Sequence, residues 1–217
     1  MGLLPIFAGG RAISHPPPPG VFVLKANSSG SGPNNVTTAS LDSTGSNLLV
    51  AAVAHSGGSP PSSFSDNKGN TWNALLGAIN GTLGIKMYWS KPTTVGTGHT
   101  VTANGFTIIA SVFFTAFSGA NLTPFDQEVN NASSAAPGSI TPAAANSLFM
   151  TFLGISSTVS SSIDLGFTVI DQILYNGGTR YGGALAYKVQ AGGPTAQAPT
   201  WSGGGATPAS KLVTFKP

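Results

Sequence analysis

Phe64-Ser65-Asp66-Asn67-Lys68-Gly69-Asn70-Thr71-Trp72 is the stretch that decides the fold. Asp, Asn and Gly crowd into Asp66 to Asn70. Glycine supplies positive φ without steric cost, and Asp and Asn side chains hydrogen-bond backbone two residues on. The spacing predicts a tight turn. Thr71 and Trp72 then open a strand, because β-branched and aromatic side chains fit a pleated, half-buried surface.

Strand signals surround this turn. Leu83, Ile85, Met87 and Trp89 alternate with Gly84, Lys86, Tyr88 and Ser90, the period of two of a half-buried strand. From Phe106 to Phe117 one face is wholly apolar (Phe106, Ile108, Ala110, Val112, Phe114, Ala116). The other mixes Thr107, Ser111 and Thr115 with Ile109, Phe113 and Phe117. Phe114, Val112 and Ile108 are therefore expected in the core, with Thr107, Ser111 and Thr115 less buried. Asn47 to Ala54 is a continuous apolar run, which suits a strand covered on both faces. Val21 to Lys25 and Val36 to Leu41 read as further strands, separated by a Gly/Ser/Asn loop over Asn27 to Asn35. No stretch sustains a 3.6-residue period, and Gly and Pro interrupt every window long enough for a helix. The pattern predicts an all-β chain: a jelly-roll-like β-sandwich of two packed antiparallel sheets.

The second half echoes the first at a spacing of about a hundred residues. Asn47-Leu48-Leu49-Val50 returns as Asn146-Ser147-Leu148-Phe149-Met150. Gly69-Asn70-Thr71-Trp72 returns as Gly166-Phe167-Thr168-Val169. Ile85, Met87 and Trp89 return as Gly183, Leu185 and Tyr187, and Phe114 and Ala116 as Val213 and Phe215. Two duplicated halves, 21–120 and 121–217, account for this; the alternative is the turn and strand composition that all β-sandwiches share.

Asp66 to Trp72 resembles the D-x-x-G-N-T-[WY] turn of a large family of Gly/Ser/Thr-rich β-sandwich proteins. Ala116-Phe117-Ser118-Gly119-Ala120 and Pro124-Phe125-Asp126 are similar to the segment that links the halves in that family. Its members are virion structural proteins of tailed bacteriophages and modules of bacterial extracellular proteins. The resemblance spans residues 21–217. It implies a fold and a setting, and no defined activity.

Composition narrows the function. Of 217 residues 41% are apolar and only 7% charged, with 29 Gly and 16 Pro. The apolar share supports a core, and the low charge is unlike that of a disordered chain. The net charge is +3, but the nine Lys and Arg never cluster, so no nucleic-acid partner is expected. Nor is a membrane: no run nears the ~20 apolar residues of a spanning helix. Met1 to Ala8 lacks the basic start of a signal peptide, which suits assembly in the host cytoplasm and release within a particle. Cysteine is absent, which excludes disulfides and thiolate metal sites.

The chemistry-bearing residues are few. The carboxylates are Asp42, Asp66, Asp126, Glu128, Asp164 and Asp171. Asp126 and Glu128 are the one close pair, in a stretch that reads as polar linker, where solvated charges and a turn-stabilising Asp are expected. His15, His55 and His99 have no ligand partner at metal-binding spacing. A Ser–His–Asp triad would have to assemble in space, since no G-x-S-x-G is present. Asp66 to Asn70 faintly resembles a calcium loop, but calcium takes six to eight oxygens and Lys68 stands among these. The expectation is no catalytic set, no metal and no cofactor. Tyr88, beside Lys86, and Trp201, before Ser202-Gly203-Gly204-Gly205, are the candidate contacts for a cell-surface glycan.

Residues 1–20 stand apart. Leu3, Leu4, Ile6 and Phe7 form an apolar tip, Arg11 follows, and Pro16 to Pro19 favour extended polyproline II. They read as an attachment arm on a 21–217 body. The expected protein is a non-enzymatic virion component, an exterior capsid decoration or head protein. It would assemble as a homo-oligomer on the major capsid or another virion protein. A phage tail or fibre component, or a carbohydrate-binding module, is the alternative.

Overall fold

The computed structural model describes residues 20–56, 60–106, 108–176 and 181–217. The attachment-arm residues Leu3, Leu4, Ile6, Phe7 and Arg11 lie outside the described residues, as does Thr107. Among the described residues every regular element is a strand. The first half contains β1 (Val23–Pro33), β2 (Val36–Thr37), β3 (Leu48–Ser56), β4 (Ser63–Asp66), β5 (Asn73–Ala74), β6 (Ala78–Asn80), β7 (Leu83–Ser90), β8 (Val101–Asn104) and β9 (Ile109–Ser118). The second contains β10 (Phe125–Asn131), β11 (Leu148–Ile155), β12 (Ser162–Ile163), β13 (Thr168–Ile173), β14 (Gly182–Val189), β15 (Trp201–Ser202) and β16 (Ala209–Phe215).

Each half builds one antiparallel sheet, and the strand order is the same in both: β1-β9-β3-β7-β5 and β10-β16-β11-β14-β13. Register matches the halves residue by residue. Leu48 pairs with Phe117 and Leu148 with Phe215; Val50 pairs with Trp89 and Met150 with Tyr187. This confirms Ile85, Met87 and Trp89 as counterparts of Gly183, Leu185 and Tyr187. It also keeps Leu48 to Val50 on Leu148 to Met150, and it moves the rest: Phe117 corresponds to Phe215, Phe114 to Leu212, and Trp72 to Phe167. The slip at Trp72 arises because its turn is longer, with five residues between Asp66 and Trp72 but two between Asp164 and Phe167.

The two sheets pack through their inner faces. Leu48, Val50, Met87, Phe113 and Phe117 of one meet Leu148, Met150, Phe152, Leu185 and Phe215 of the other. Each fully buried large apolar side chain contributes about 1.5–3 kcal/mol. The outer faces are covered too. A small sheet, β2-β8-β4, caps the first half over Leu49, Val53, Val112 and Phe114. The pair β12-β15 caps the second over Phe149, Leu153 and Leu212.

With a cap on one face and the second sheet on the other, β9 departs from the sequence reading. β9 is buried on both sides: Ser111 and Thr115 are as inaccessible as Phe114. Their hydroxyls are satisfied, Thr115 Oγ1 donating to Val50 O at 3.0 Å and Ser111 Oγ to Tyr181 O. Ile108, expected in the core, is 52% exposed, because β9 starts one residue later. β1 also runs straight through the expected Asn27–Asn35 loop. As an edge strand it pairs through its backbone with β9 from Val23 to Pro33, so small polar side chains suffice. Conversely only Val36 and Thr37 of the next expected strand pair as such, with Leu41 bridging to His99.

Asp126 and Glu128 are not in a linker but on β10. Asp126 Oδ2 accepts Ala143 N at 2.8 Å. Glu128 faces inward and meets Lys211, whose side chain is fully buried. Lys211 Nζ donates to Leu76 O at 2.9 Å, Glu128 accepts Leu76 N at 3.0 Å, and Asn130 Nδ2 donates to Gly77 O at 3.1 Å. Three polar side chains of the second half thus clasp the β5–β6 connection of the first.

Both ends of the body meet at the connection between the halves. A Cβ on Gly20 would sit 2.7 Å from Gly119 O. At the other end, Asn121 N donates to Lys216 O at 3.0 Å, and Lys216 N to Pro124 O at 2.7 Å.

Candidate functional site

The turn quoted first is a self-satisfied knot. Asp66 Oδ1 accepts Lys68 N and Asn70 N, each at 3.0 Å. Asp66 Oδ2 accepts Asn70 Nδ2 at 2.9 Å and the Trp72 indole at 3.0 Å. Gly69 takes φ +77°, which only glycine adopts readily. Asn70 Oδ1 in turn accepts Thr93 N and Thr94 N at 2.8 and 3.0 Å, fastening the turn to the loop before β8. Burial pushes the Asp66 carboxyl up, but these donors and His99 outweigh it and hold it below the usual carboxylate range.

The knot aims a set of rings. Trp72, fixed by Asp66, meets Phe64 edge-on at 5.0 Å, and Phe64 stacks on Tyr88 at 4.1 Å and 4°. With Pro60, Pro61 and Lys86 they line a hollow of about 270 Å³ on the outer side of the first half. A second hollow of about 330 Å³, holding His55 and Ile79, shares Pro60 and Lys86 with it. The two form one groove. Tyr88 is only 6% exposed, its ring covered by Phe64, and burial pushes its hydroxyl up to about 12. It stays a neutral phenol at any physiological pH. Among the described residues neither the Tyr88 hydroxyl nor Lys86 Nζ has a hydrogen-bond partner. Both remain free to meet a ligand.

His55 lies at the inner end of the groove. Its ring stacks on Phe106 at 5.9 Å and lies across Gly84, where a Cβ would come within 2.2 Å of it. Glycine at position 84 is therefore a packing requirement. Burial lowers the His55 pKa to about 4, so the imidazole is neutral.

Beneath the knot the chain assembles Ser43, His99 and Asp66, a set that sequence spacing did not reveal. His99 Nδ1 is 2.7 Å from Ser43 Oγ, and His99 Nε2 is 3.2 Å from Asp66 Oδ2, off the line of a good hydrogen bond. Ser43 and His99 are fully buried. Ser43 Oγ also accepts Gly96 N at 3.0 Å, which ties it into the loop. Burial lowers the His99 pKa, more than Asp66 raises it. The row contains the residue types of a nucleophilic triad, but Ser43 is fully buried, and its hydroxyl is held by Gly96 and His99.

Tyr88 is thus placed in a groove, stacked and with its hydroxyl free. Trp201 is not: it is 2% exposed, because its indole fills the space under β12-β15 and donates to Thr151 Oγ1 at 3.0 Å. It offers no face to a sugar, which corrects the expectation of an exposed loop aromatic. The calcium-like stretch is the self-satisfied knot, and among the described residues no group of three or more His, Asp or Glu side chains is placed to hold a metal ion. No protein family, no curated protein and no solved structure matches this chain.

Proposed function

We propose that the chain is a non-enzymatic structural protein on the exterior of a tailed-bacteriophage particle. It decorates the capsid as a homo-oligomer and attaches to the major capsid protein through residues 1–20. The observation that favours a structural role is the Ser43–His99–Asp66 row, in which Ser43 is fully buried and Ser43 and Asp66 spend their oxygens on backbone donors that fasten loops. The Asp66–Trp72 turn supports the virion setting, since the residues that resemble the phage family's turn are the ones that build the knot. The test is a shortened chain beginning at Val21. It is expected to keep its melting temperature and to lose binding to particles that lack the protein. Undiminished binding would place attachment on the sandwich and refute the arm.

The groove favours a second reading, a module that holds a cell-surface glycan. Its half-buried rings, free hydroxyl and ammonium are the groups that position a sugar. A glycan array probed with the protein and with Tyr88→Ala distinguishes the two. Binding that the substitution removes supports the glycan module, and an empty array opposes it.

A further inference from the structure

The inward polar clasp on β10 and β16 has a composition that suits more than an ion pair. Asn130 and Lys211 are directly opposed partners of these paired strands, so their side chains share the inner face. Opposed residues of an antiparallel pair hold their Cβ atoms about 4.5–5.5 Å apart. Glu128 is two residues from Asn130 on the same face, in contact with Lys211 Nζ. The tips converge on adjacent residues: Lys211 Nζ reaches Leu76 O, and Asn130 Nδ2 reaches Gly77 O. Lys211 lies fully buried in the sheet, next to Phe152 across β11.

We infer that Lys211 and Asn130 join in an amide bond between their side chains, with Glu128 as the proton carrier. The chemistry needs three things, and the site has each. It needs a lysine able to act as a neutral amine. Burial pulls the Lys211 pKa down, opposed by Glu128 and aided by the Lys86 charge. It needs a carboxyl in contact with that amine, which Glu128 supplies. It needs a carboxamide fixed beside them, and the register fixes Asn130.

The steps balance. A proton passes from the Lys211 ammonium to the Glu128 carboxylate, leaving an amine and a carboxylic acid. The nitrogen lone pair attacks Asn130 Cγ, forming the new C–N bond. Glu128 hydrogen-bonds to the developing oxyanion, takes the proton that leaves Nζ, and delivers one to Nδ2. The old Cγ–Nδ2 bond breaks and ammonia departs. No oxidant, metal or cofactor takes part. A primary amide is exchanged for a secondary one, with the attacking nitrogen on a fully buried side chain.

The experiment is an intact-mass measurement on the denatured full-length chain, followed by proteolysis and peptide sequencing by mass spectrometry. The expected mass is about 17 Da below that of the sequence, the mass of one ammonia, with a branched peptide joining Asn130 to Lys211. Asn130→Ala and Glu128→Gln are each expected to restore the full mass. A natural chain at full mass overturns the proposal. So does a deficit that persists in Asn130→Ala, or a loss of about 18 Da mapped to Glu128 and Lys211, which would be a condensation at the wrong carbonyl.

Discussion

On the outer side of β7 the first half has Tyr88 and Lys86; at the same register β14 of the second half has Ala186 and Ala184. The capping sheets differ to match. Over the alanines sits Trp201, 2% exposed, which closes the second half with one large ring. The first half has no such plug, and Phe64, Trp72 and Tyr88 line an open groove instead. His55 likewise corresponds to Ile155, each lying opposite a glycine, Gly84 or Gly182. One backbone plan has been completed with a buried indole in one half, under a hollow of about 340 Å³ lined by Ser162, Asp164 and Thr200, and with stacked rings and a lysine in the other. The glycan reading rests on the stacked rings of the first half, and the second half, where Ala184 and Ala186 stand in their place, serves as its internal control.

The largest test of this contrast is Trp201→Ala against Trp72→Ala, by urea unfolding. Removing the buried Trp201 is expected to cost about 3–5 kcal/mol. Trp72, half-buried at the groove, is expected to cost about half as much. Equal losses would make the groove rings core residues like any other and remove the contrast.

Acid comes next. The His55 pKa is depressed to about 4 in the folded chain from 6.5 when unfolded. The unfolded state then binds the extra proton, so stability is full above about pH 6.5 and falls as pH drops toward 4. The loss reaches at most about 3 kcal/mol. His99, also depressed by burial, acts in the same direction. His55→Ile copies the second half's solution and is expected to flatten most of the slope between pH 7 and 4, read from urea midpoints. An unchanged slope would place the proton uptake elsewhere.

Asp66→Asn is smaller in effect. The folded-state pKa lies below the unfolded value, so the carboxylate stabilises above about pH 4 and that stabilisation is lost on further acidification. At neutral pH the substitution is expected to cost about 1–3 kcal/mol, as charged hydrogen bonds are weakened. Stability at pH 3 should change less than at pH 7. Smallest of all is Tyr88→Phe. Its hydroxyl has no partner among the described residues, so unfolding is expected to shift by less than about 0.5 kcal/mol. Any effect should instead appear in ligand binding.

What the sequence disclosed follows from where burial is one-sided or total. β7 alternates and β3 is apolar from Leu48 to Ala54, and both lie where the pattern puts them. The Asp66 turn was readable because its hydrogen bonds are local. β10 was not, because its inward face is Glu128 and Asn130, groups that look solvated until Lys211 is placed opposite them. The caps were hidden for another reason: β2, β12 and β15 are two residues long, too short for any periodicity. Without the caps, the pattern puts the whole core on the outer face of β9 and leaves Trp201 exposed. The Ser43–His99–Asp66 row spans three distant segments and leaves no local trace.

The meeting of Gly20 and Pro217 beside Gly119 and Asn121 also fixes how the body responds to load. Tension applied between those two ends acts at one pole, across the strands rather than along them. It opens the β1–β9 and β16 pairings one hydrogen bond at a time, as a zipper, and does not shear a whole row at once. Unzipping yields at low force, so held by these two points the body is soft.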